Sequence, residues 1–528
     1  MIETAYGTKI AFTAPHRLAT KAGFDILEAG GTAVEAMVAA AAQIAVVYPH
    51  MNSIGGDGFW LIKKMNQAPI AISACGHAAE QATLDWYHKK GFKVSLPTRG
   101  PLAALTVPGT IAGWKLALEI DSPKHAIPLS ELLAAAVKKA KNGIAVTKNQ
   151  SDTLEAKKHE LEPVSGFKDF YLDKGQVPAV GSKLLQSKLG ETLEYLGRVG
   201  LDDFYLGDMA KTHGDFLAKA GSPLIFEDFK KFKAELQKPL SINTSVGQLF
   251  NLGPPTQGMS SLAILGIYDR IKNEACDDFD FIHRLVEATK QAFITRNLEL
   301  GDPADMKVDP ADLISDSYLD SSATNISLSE AADWPEIAKK GDTIWMGAVD
   351  SEGTVVSFIQ SIFWEFGSGL ICPETGVLFQ NRGAGFSLTD GPNCLAPGKK
   401  PFHTLNPAMA IMNDGRIVSY GTMGGEGQPQ TQAAIFSRYA FHGVDLQRAI
   451  SAPRWLLGKT WGDDTTSLKL EKSFDEKLIK ELREANHQVE LVSENSSLMG
   501  HAGCVVRHID GSVEAASDPR SDGIALAG

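Results

Sequence analysis

Alanine-rich helical patterning runs from Leu18 to Val47 and is interrupted at Gly30-Gly31, which predicts two consecutive helices with a break between them. The most apolar run of the chain, Ala36 to Val47, is bounded by Glu35 and Pro49 and reads as a buried helix. Ser53-Ile54-Gly55-Gly56-Asp57-Gly58 reads as a turn-rich loop, and the short runs Phe59 to Ile62 and Ile70 to Ser73 read as buried strands. Helical patterns dominate from Pro128 to about Lys290. Ser321 to Lys340 is polar and weakly periodic, as an exposed connection is, and it ends at Gly341-Asp342-Thr343. Beyond it the period becomes two: Met346 to Val349 and Thr354 to Ile359, separated by Asp350-Ser351-Glu352-Gly353, predict a hairpin. The last third mixes glycine-rich loops with helices at Thr431 to His442 and Phe474 to Ala485.

Composition narrows the partners. A net charge of -12 over 528 residues argues against nucleic acid, whose binding needs clustered Lys and Arg. Ala36 to Val47 is too short to span a bilayer, so no membrane partner is expected. The opening Met1-Ile2-Glu3-Thr4 lacks the basic start and apolar stretch of a secretory signal, which places the chain in the cytoplasm. Five cysteines, Cys75, Cys276, Cys372, Cys394 and Cys504, form no CxxC pair and fit a reducing compartment.

Thr343 has a use that an interior threonine lacks. If the chain is cut before it, its new α-amine can take the proton of its own hydroxyl, so that nucleophile and base share one residue. An α-amine titrates at about 7.7 to 8.0, leaving a useful neutral fraction near pH 7. The cut can be intramolecular: the Thr343 hydroxyl attacks the Asp342 carbonyl, the peptide shifts to an ester, and water hydrolyses it. Gly341 eases the turn this requires. Taken alone, Gly-Asp-Thr before a strand is more often a plain turn.

Gly424-Gly425-Glu426-Gly427, ahead of a helix, suits an oxyanion hole, a phosphate loop or a bare turn about equally. The Gly-Lys-Ser/Thr of a Walker loop, a His-Glu-x-x-His and a Gly-x-Ser-x-Gly elbow are all absent. His501, Cys504 and His508 are better read as core or loop residues than as metal ligands. Glu35, Asp57 and Glu426 are candidates for polar networks near glycine loops, with surface or capping roles the commoner fate.

These motifs converge on a resemblance. Gly30 to Ala36, Ile54 to Phe59, Val107-Pro108-Gly109-Thr110-Ile111-Ala112-Gly113-Trp114, Phe366 to Gly369, Met423-Gly424-Gly425 and Ser517-Asp518-Pro519-Arg520-Ser521 resemble the γ-glutamyltranspeptidases, which are N-terminal-nucleophile hydrolases. The resemblance implies an α+β fold, a four-layer αββα sandwich. It also implies cleavage between Asp342 and Thr343 into a large subunit, 1–342, and a small subunit, 343–528, intertwined in one domain. Thr343 is then the nucleophile, Ser361 the supporting hydroxyl, and Gly424 and Gly425 the oxyanion hole. No cofactor and no metal are implied, and a homodimer of the processed heterodimer is an allowed assembly.

The substrate pocket departs from the family pattern. The arginine expected for a glutamyl α-carboxylate falls in Ser73-Ala74-Cys75-Gly76-His77, which has none, and a bidentate contact is lost. The aspartate expected for the α-amino group corresponds to Gly385, and an asparagine near the nucleophile to Phe363. The serines of the carboxylate pocket map to His403 and Thr404. Arg382 replaces an uncharged residue, either to bind a smaller anionic substrate or to form a structural ion pair. The words Trp345 to Asp350, Phe358 to Ser361, Gln380 to Gly383, Pro401 to Thr404 and Arg454 to Gly458 look most like the oxamate amidohydrolase branch, which acts late in purine degradation. The expected reaction is hydrolysis of a small carboxylate-bearing amide. Arg382, His403 and Thr404 are the expected substrate-binding residues. The alternatives are γ-glutamyl transfer, β-lactam side-chain deacylation and, more remotely, an uncut binding protein.

Overall fold

Alternation along the strands sorts their side chains into separate apolar clusters. In the strand Asp57–Lys63, Phe59 and Leu61 join one cluster while Trp60 and Ile62 join another. In Asp342–Val349, Trp345 and Val349 follow the first pair, and Ile344, Met346 and Ala348 the second. The structure, a computed structural model, describes residues 2–123, 126–334, 342–458 and 466–528.

The shared cluster lies between two seven-stranded sheets, where Phe59 and Trp345 meet Phe250, Met409 and Val505. One sheet runs in the order Ile524–Ala527, Ala11–Ala14, Asp342–Val349, Val355–Phe363, Asp57–Lys63, Ile70–Ala74, Glu235–Gln237. The other runs Ala5–Gly7, Val513–Ser517, Ala502–Arg507, Ile417–Thr422, Ala408–Met412, Gly247–Asn251, Leu240–Thr244. Neighbours in both are antiparallel. The helix Ala33–Val47 covers the outer face of the first sheet, and Gly258–Ile271 and Gln428–Phe436 cover that of the second, with Phe279–Glu299 packed on both of these helices. The result is the expected four-layer αββα sandwich. Both sheets combine strands from before and after residue 342, and the hairpin Asp342–Phe363 is flanked by Ala11–Ala14 on one side and Asp57–Lys63 on the other.

Close approach of the sheets has a local cause. The Trp345 ring lies between them, donating Nε1–H to Ser357 Oγ at 2.9 Å. A Cβ on Gly421 or Gly503 would come within 2.2 or 2.6 Å of that ring, so glycine is required opposite it.

The two N-terminal helices are Arg17–Glu28 and Ala33–Val47, and the second is wholly buried. It opens with a capping box, Thr32 accepting from Glu35 N–H and Glu35 accepting in return, worth about 1 kcal/mol. Glu35 is thus the capping residue. The hairpin is longer than expected, Asp342–Val349 and Val355–Phe363, and Thr343 is its second residue. Three expectations are corrected. The helical stretch ahead of Lys290 contains the strands Glu235–Gln237, Leu240–Thr244 and Gly247–Asn251, whose polar outward positions hide a period of two. The loop ending at Gly58 gives way to strand at Asp57. The helix Asp316–Thr324 extends into the connection predicted from Ser321, while residues 335–341, including the turn expected at Gly341, lie outside the described residues. Among the described residues no helix is long and apolar enough to cross a membrane.

Candidate active site

Thr343 is fully buried and shares the parity of Trp345, which turns it toward the second sheet. Its Oγ1 receives a hydrogen bond from Gln428 Nε2 at 3.4 Å. Gln428 opens the helix Gln428–Phe436 and accepts from Asn406 Nδ2 at 3.2 Å. The ladder opposite Thr343 is irregular: Asp342 pairs with Phe363 and Ile344 with Gln360, so Ser361 and Ile362 together face one residue. Ser361 Oγ accepts from Phe363 N–H at 2.8 Å, and Phe363 sits at φ 80°, a strained value for a bulky residue.

The glycine loop lies between the strand Ile417–Thr422 and the Gln428 helix. Gly424 and Gly425 have φ of 119° and 54°. The N–H groups of both donate to no other described residue, while their carbonyls are occupied, Gly424 O by Gly427 N–H and Gly425 O by Gln257 Nε2, each at 2.9 Å. Two adjacent free donors at a helix start can hold a developing oxyanion.

Arg382 is buried, and burial lowers its pKa to about 9. Its Nη2 donates to Thr404 Oγ1 at 2.9 Å and its Nη1 to Phe402 O at 3.2 Å, while Nε has no partner among the described residues. The guanidinium lies 3.6 Å from the centre of the Phe363 ring. Among the described residues it makes no ion pair within 4.0 Å, so the structural ion pair weighed from the sequence is not what holds it. A Cβ on Gly385 would stand 3.9 Å from Nη1, so the glycine leaves space beside the cation. Arg382 and Gly385, on one short helical turn, therefore meet Phe363 and Thr404 from the neighbouring stretches of chain.

His403 faces the other way. Leu405 N–H approaches its Nδ1 at 3.4 Å, which makes Nε2–H the donor to Asp57 Oδ2 at 3.1 Å. Asp57 Oδ1 accepts from Gly76 N–H, Gly109 N–H and Gln380 Nε2 at 3.0, 3.1 and 3.0 Å. Burial nonetheless lifts Asp57 to about 7, and holds His403 well below the usual imidazole range. Asp57 is thus a buried network residue and not a surface or capping one. Its ligand atom and those of Cys75 and His403 lie within 4.8 Å of one another, as do those of His283, Glu287 and His487. In each group the polar atoms are already bonded: Asp57 to His403, His283 to His487 at 2.8 Å, and Glu287 to Lys290 at 2.7 Å. Glu426, the other acidic residue near a glycine loop, is buried and paired with Arg296 at 2.6 Å. Arg296, Glu426, Phe402 and Asn393 line a cleft of about 400 Å³.

Gln257 and Arg296 carried no signal in the sequence. They reach the glycine loop only through tertiary packing, and neither belongs to a motif.

The family model for gamma-glutamyltranspeptidase matches residues 19–528. The oxamate amidohydrolase proenzyme of Klebsiella pneumoniae is 50% identical over 515 residues, covering 97% of each chain. A glutathione hydrolase-like proenzyme of Bacillus subtilis is 36% identical over 532 residues, covering all of both chains. Among solved structures, the cephalosporin acylase of Bacillus halodurans superposes with a TM-score of 0.91 at 29% identity, covering 100% of this chain and 97% of that one. With its sequence and its layered fold both matched along nearly the whole length, this chain belongs to the gamma-glutamyltranspeptidase family.

Proposed function

We propose that this hydrolase matures by cutting itself between Asp342 and Thr343, and that the matured enzyme hydrolyses a small carboxylate-bearing amide, oxamate, to oxalate and ammonia. The Klebsiella and Bacillus subtilis relatives, both proenzymes, support maturation by cleavage, and the first, an oxamate amidohydrolase, supports the substrate. The observation that carries the substrate reading is Arg382, a buried guanidinium that feels the Asp57 and Glu426 charges but makes no ion pair within 4.0 Å among the described residues, stacked on the residue that pairs with Asp342. A buried cation so placed is favourable chiefly when an anion joins it.

In the cut chain the Thr343 amine takes the proton from Oγ1 as Oγ1 attacks the amide carbonyl. The carbonyl oxygen becomes an oxyanion held by the Gly424 and Gly425 N–H groups. The intermediate collapses with proton return to the leaving nitrogen, so ammonia departs and an oxalyl ester remains on Thr343. Water, deprotonated by the same amine, attacks that ester and releases oxalate. Arg382 and Thr404 hold the substrate carboxylate; His403, donating to Asp57, keeps the wall behind Arg382 in place. Residues 1–342 and 343–528 form the two subunits.

The test is ammonia release from oxamate beside cleavage of a γ-glutamyl anilide by the matured protein. Turnover of oxamate alone is expected. Turnover of the anilide alone returns the chain to γ-glutamyl chemistry.

A further inference from the structure

Gln257 is buried between the two halves of the site, and both of its N–H donors and its amide oxygen are engaged. Nε2 donates to Gly425 O at 2.9 Å and to Thr404 O at 2.8 Å, and Oε1 accepts from Arg296 Nη1 at 2.9 Å. Because two of these partners are carbonyls and the third is a guanidinium that can only donate, the amide has one allowed orientation. Arg296 continues the chain to Glu426 Oε2 at 2.6 Å and packs its guanidinium 3.9 Å from the Phe293 ring centre. Glu426 follows Gly425 directly, so the network closes on the loop it began from.

The geometry bears on catalysis through the peptide planes around Gly425. The plane that carries Gly425 N–H is held from its other side, where Gly424 O accepts from Gly427 N–H. The next plane is held at Gly425 O by the Gln428 N–H from within the chain turn and by Gln257 from across the site. At φ 54° with no side chain, Gly425 has conformational freedom that a donor in an oxyanion hole cannot tolerate. We propose that Gln257, Arg296 and Glu426 form a positioning relay that fixes the Gly425 peptide, and so aims the oxyanion donors, while tying them through Thr404 to the carboxylate-binding side of the pocket. This inference rests on the reading of Gly424 and Gly425 as the oxyanion hole. The relay residues act through the loop and touch no reacting atom.

The oxyanion exists only in the transition state, so misaiming its donors lowers kcat and leaves KM in place. Gln257→Glu keeps the shape and the Arg296 partner but turns both donations into repulsions. It should lose roughly 100-fold in kcat on the amide that the wild-type enzyme turns over, with KM within about twofold, since a 1 Å misplacement costs on that order. Arg296→Met should lose kcat in the same way, and Arg296→Lys, which can still donate to Gln257 and Glu426, should recover much of it. An unchanged kcat in Gln257→Glu, or a loss carried by KM, overturns the relay while leaving the amidohydrolase reading intact. A crystal structure of Gln257→Glu reads the same point without any substrate: a rotated Gly425 carbonyl is expected, and an unmoved loop overturns the proposal even if oxamate proves not to be the substrate.

Discussion

The Arg382 guanidinium lies 3.6 Å from the centre of the Phe363 ring, and Phe363 stands opposite Asp342 in the strand ladder. Stacking holds the cation flat, leaving its N–H edge for a planar anion. Arg382→Gln should raise the KM for oxamate by about 10- to 100-fold, from the loss of charge-assisted hydrogen bonds worth roughly 1.5 to 3 kcal/mol, with a smaller change in kcat. Steady-state kinetics decide it: unchanged KM and rate assign Arg382 to scaffolding.

Under the proposed mechanism, Thr343→Ala removes the hydroxyl that both cuts the chain and attacks the amide. On a denaturing gel the wild-type protein should give bands of about 37 and 20 kDa, while the variant stays a single chain of 56.7 kDa and releases no ammonia. Turnover by the variant would mean another nucleophile.

Gly425→Ala places a side chain on a backbone at φ 54°, a conformation costing an L residue roughly 1 to 2 kcal/mol. Relief of that strain turns the peptide away. The variant should lose about 100- to 1000-fold in kcat, the cost of one oxyanion donor, with its melting temperature lowered by a few degrees only. Loss of fold without selective loss of kcat would show the loop to be structural.

Burial alone drives His213 down to about 3, and its Nε2 lies 3.0 Å from Thr375 Oγ1. Between pH 3 and 6.5 the unfolded chain binds a proton there that the folded one refuses, so stability rises with pH across that window and is lost on acidification. His213→Gln should therefore flatten the acid limb of the stability curve by up to one proton, about 1.4 kcal/mol per pH unit, as read by urea unfolding at pH 4.5 to 6.5. An identical slope would contradict neutral burial.

What the sequence made legible was local. The break at Gly30-Gly31, the hairpin after Thr343 and the glycine loop each carry their signal within a few residues, and each stands where its pattern puts it. The strands from Glu235 to Asn251 were missed because polar residues interrupt them, Glu235, Asn243 and Gln248 being exposed, and because Leu236 is turned outward. Asp57 looked like loop polarity because the five groups that surround it, Gly76, Gly109, Gln380, His403 and Arg382, come from four other stretches of chain. The relay from Gln257 was invisible for the same reason: Arg296 and Glu426 lie 130 residues apart and meet only when the helices Gly258–Ile271, Phe279–Glu299 and Gln428–Phe436 pack together.

Because both sheets are built from strands on either side of residue 342, a nick at that bond leaves neither piece with a complete sheet of its own. The two fragments are held like the fingers of clasped hands, and parting them means melting the molecule. Scission is then a one-way commitment: what it creates is a new chain terminus inside an intact body, and fragments synthesised separately should fail to assemble unless they fold together.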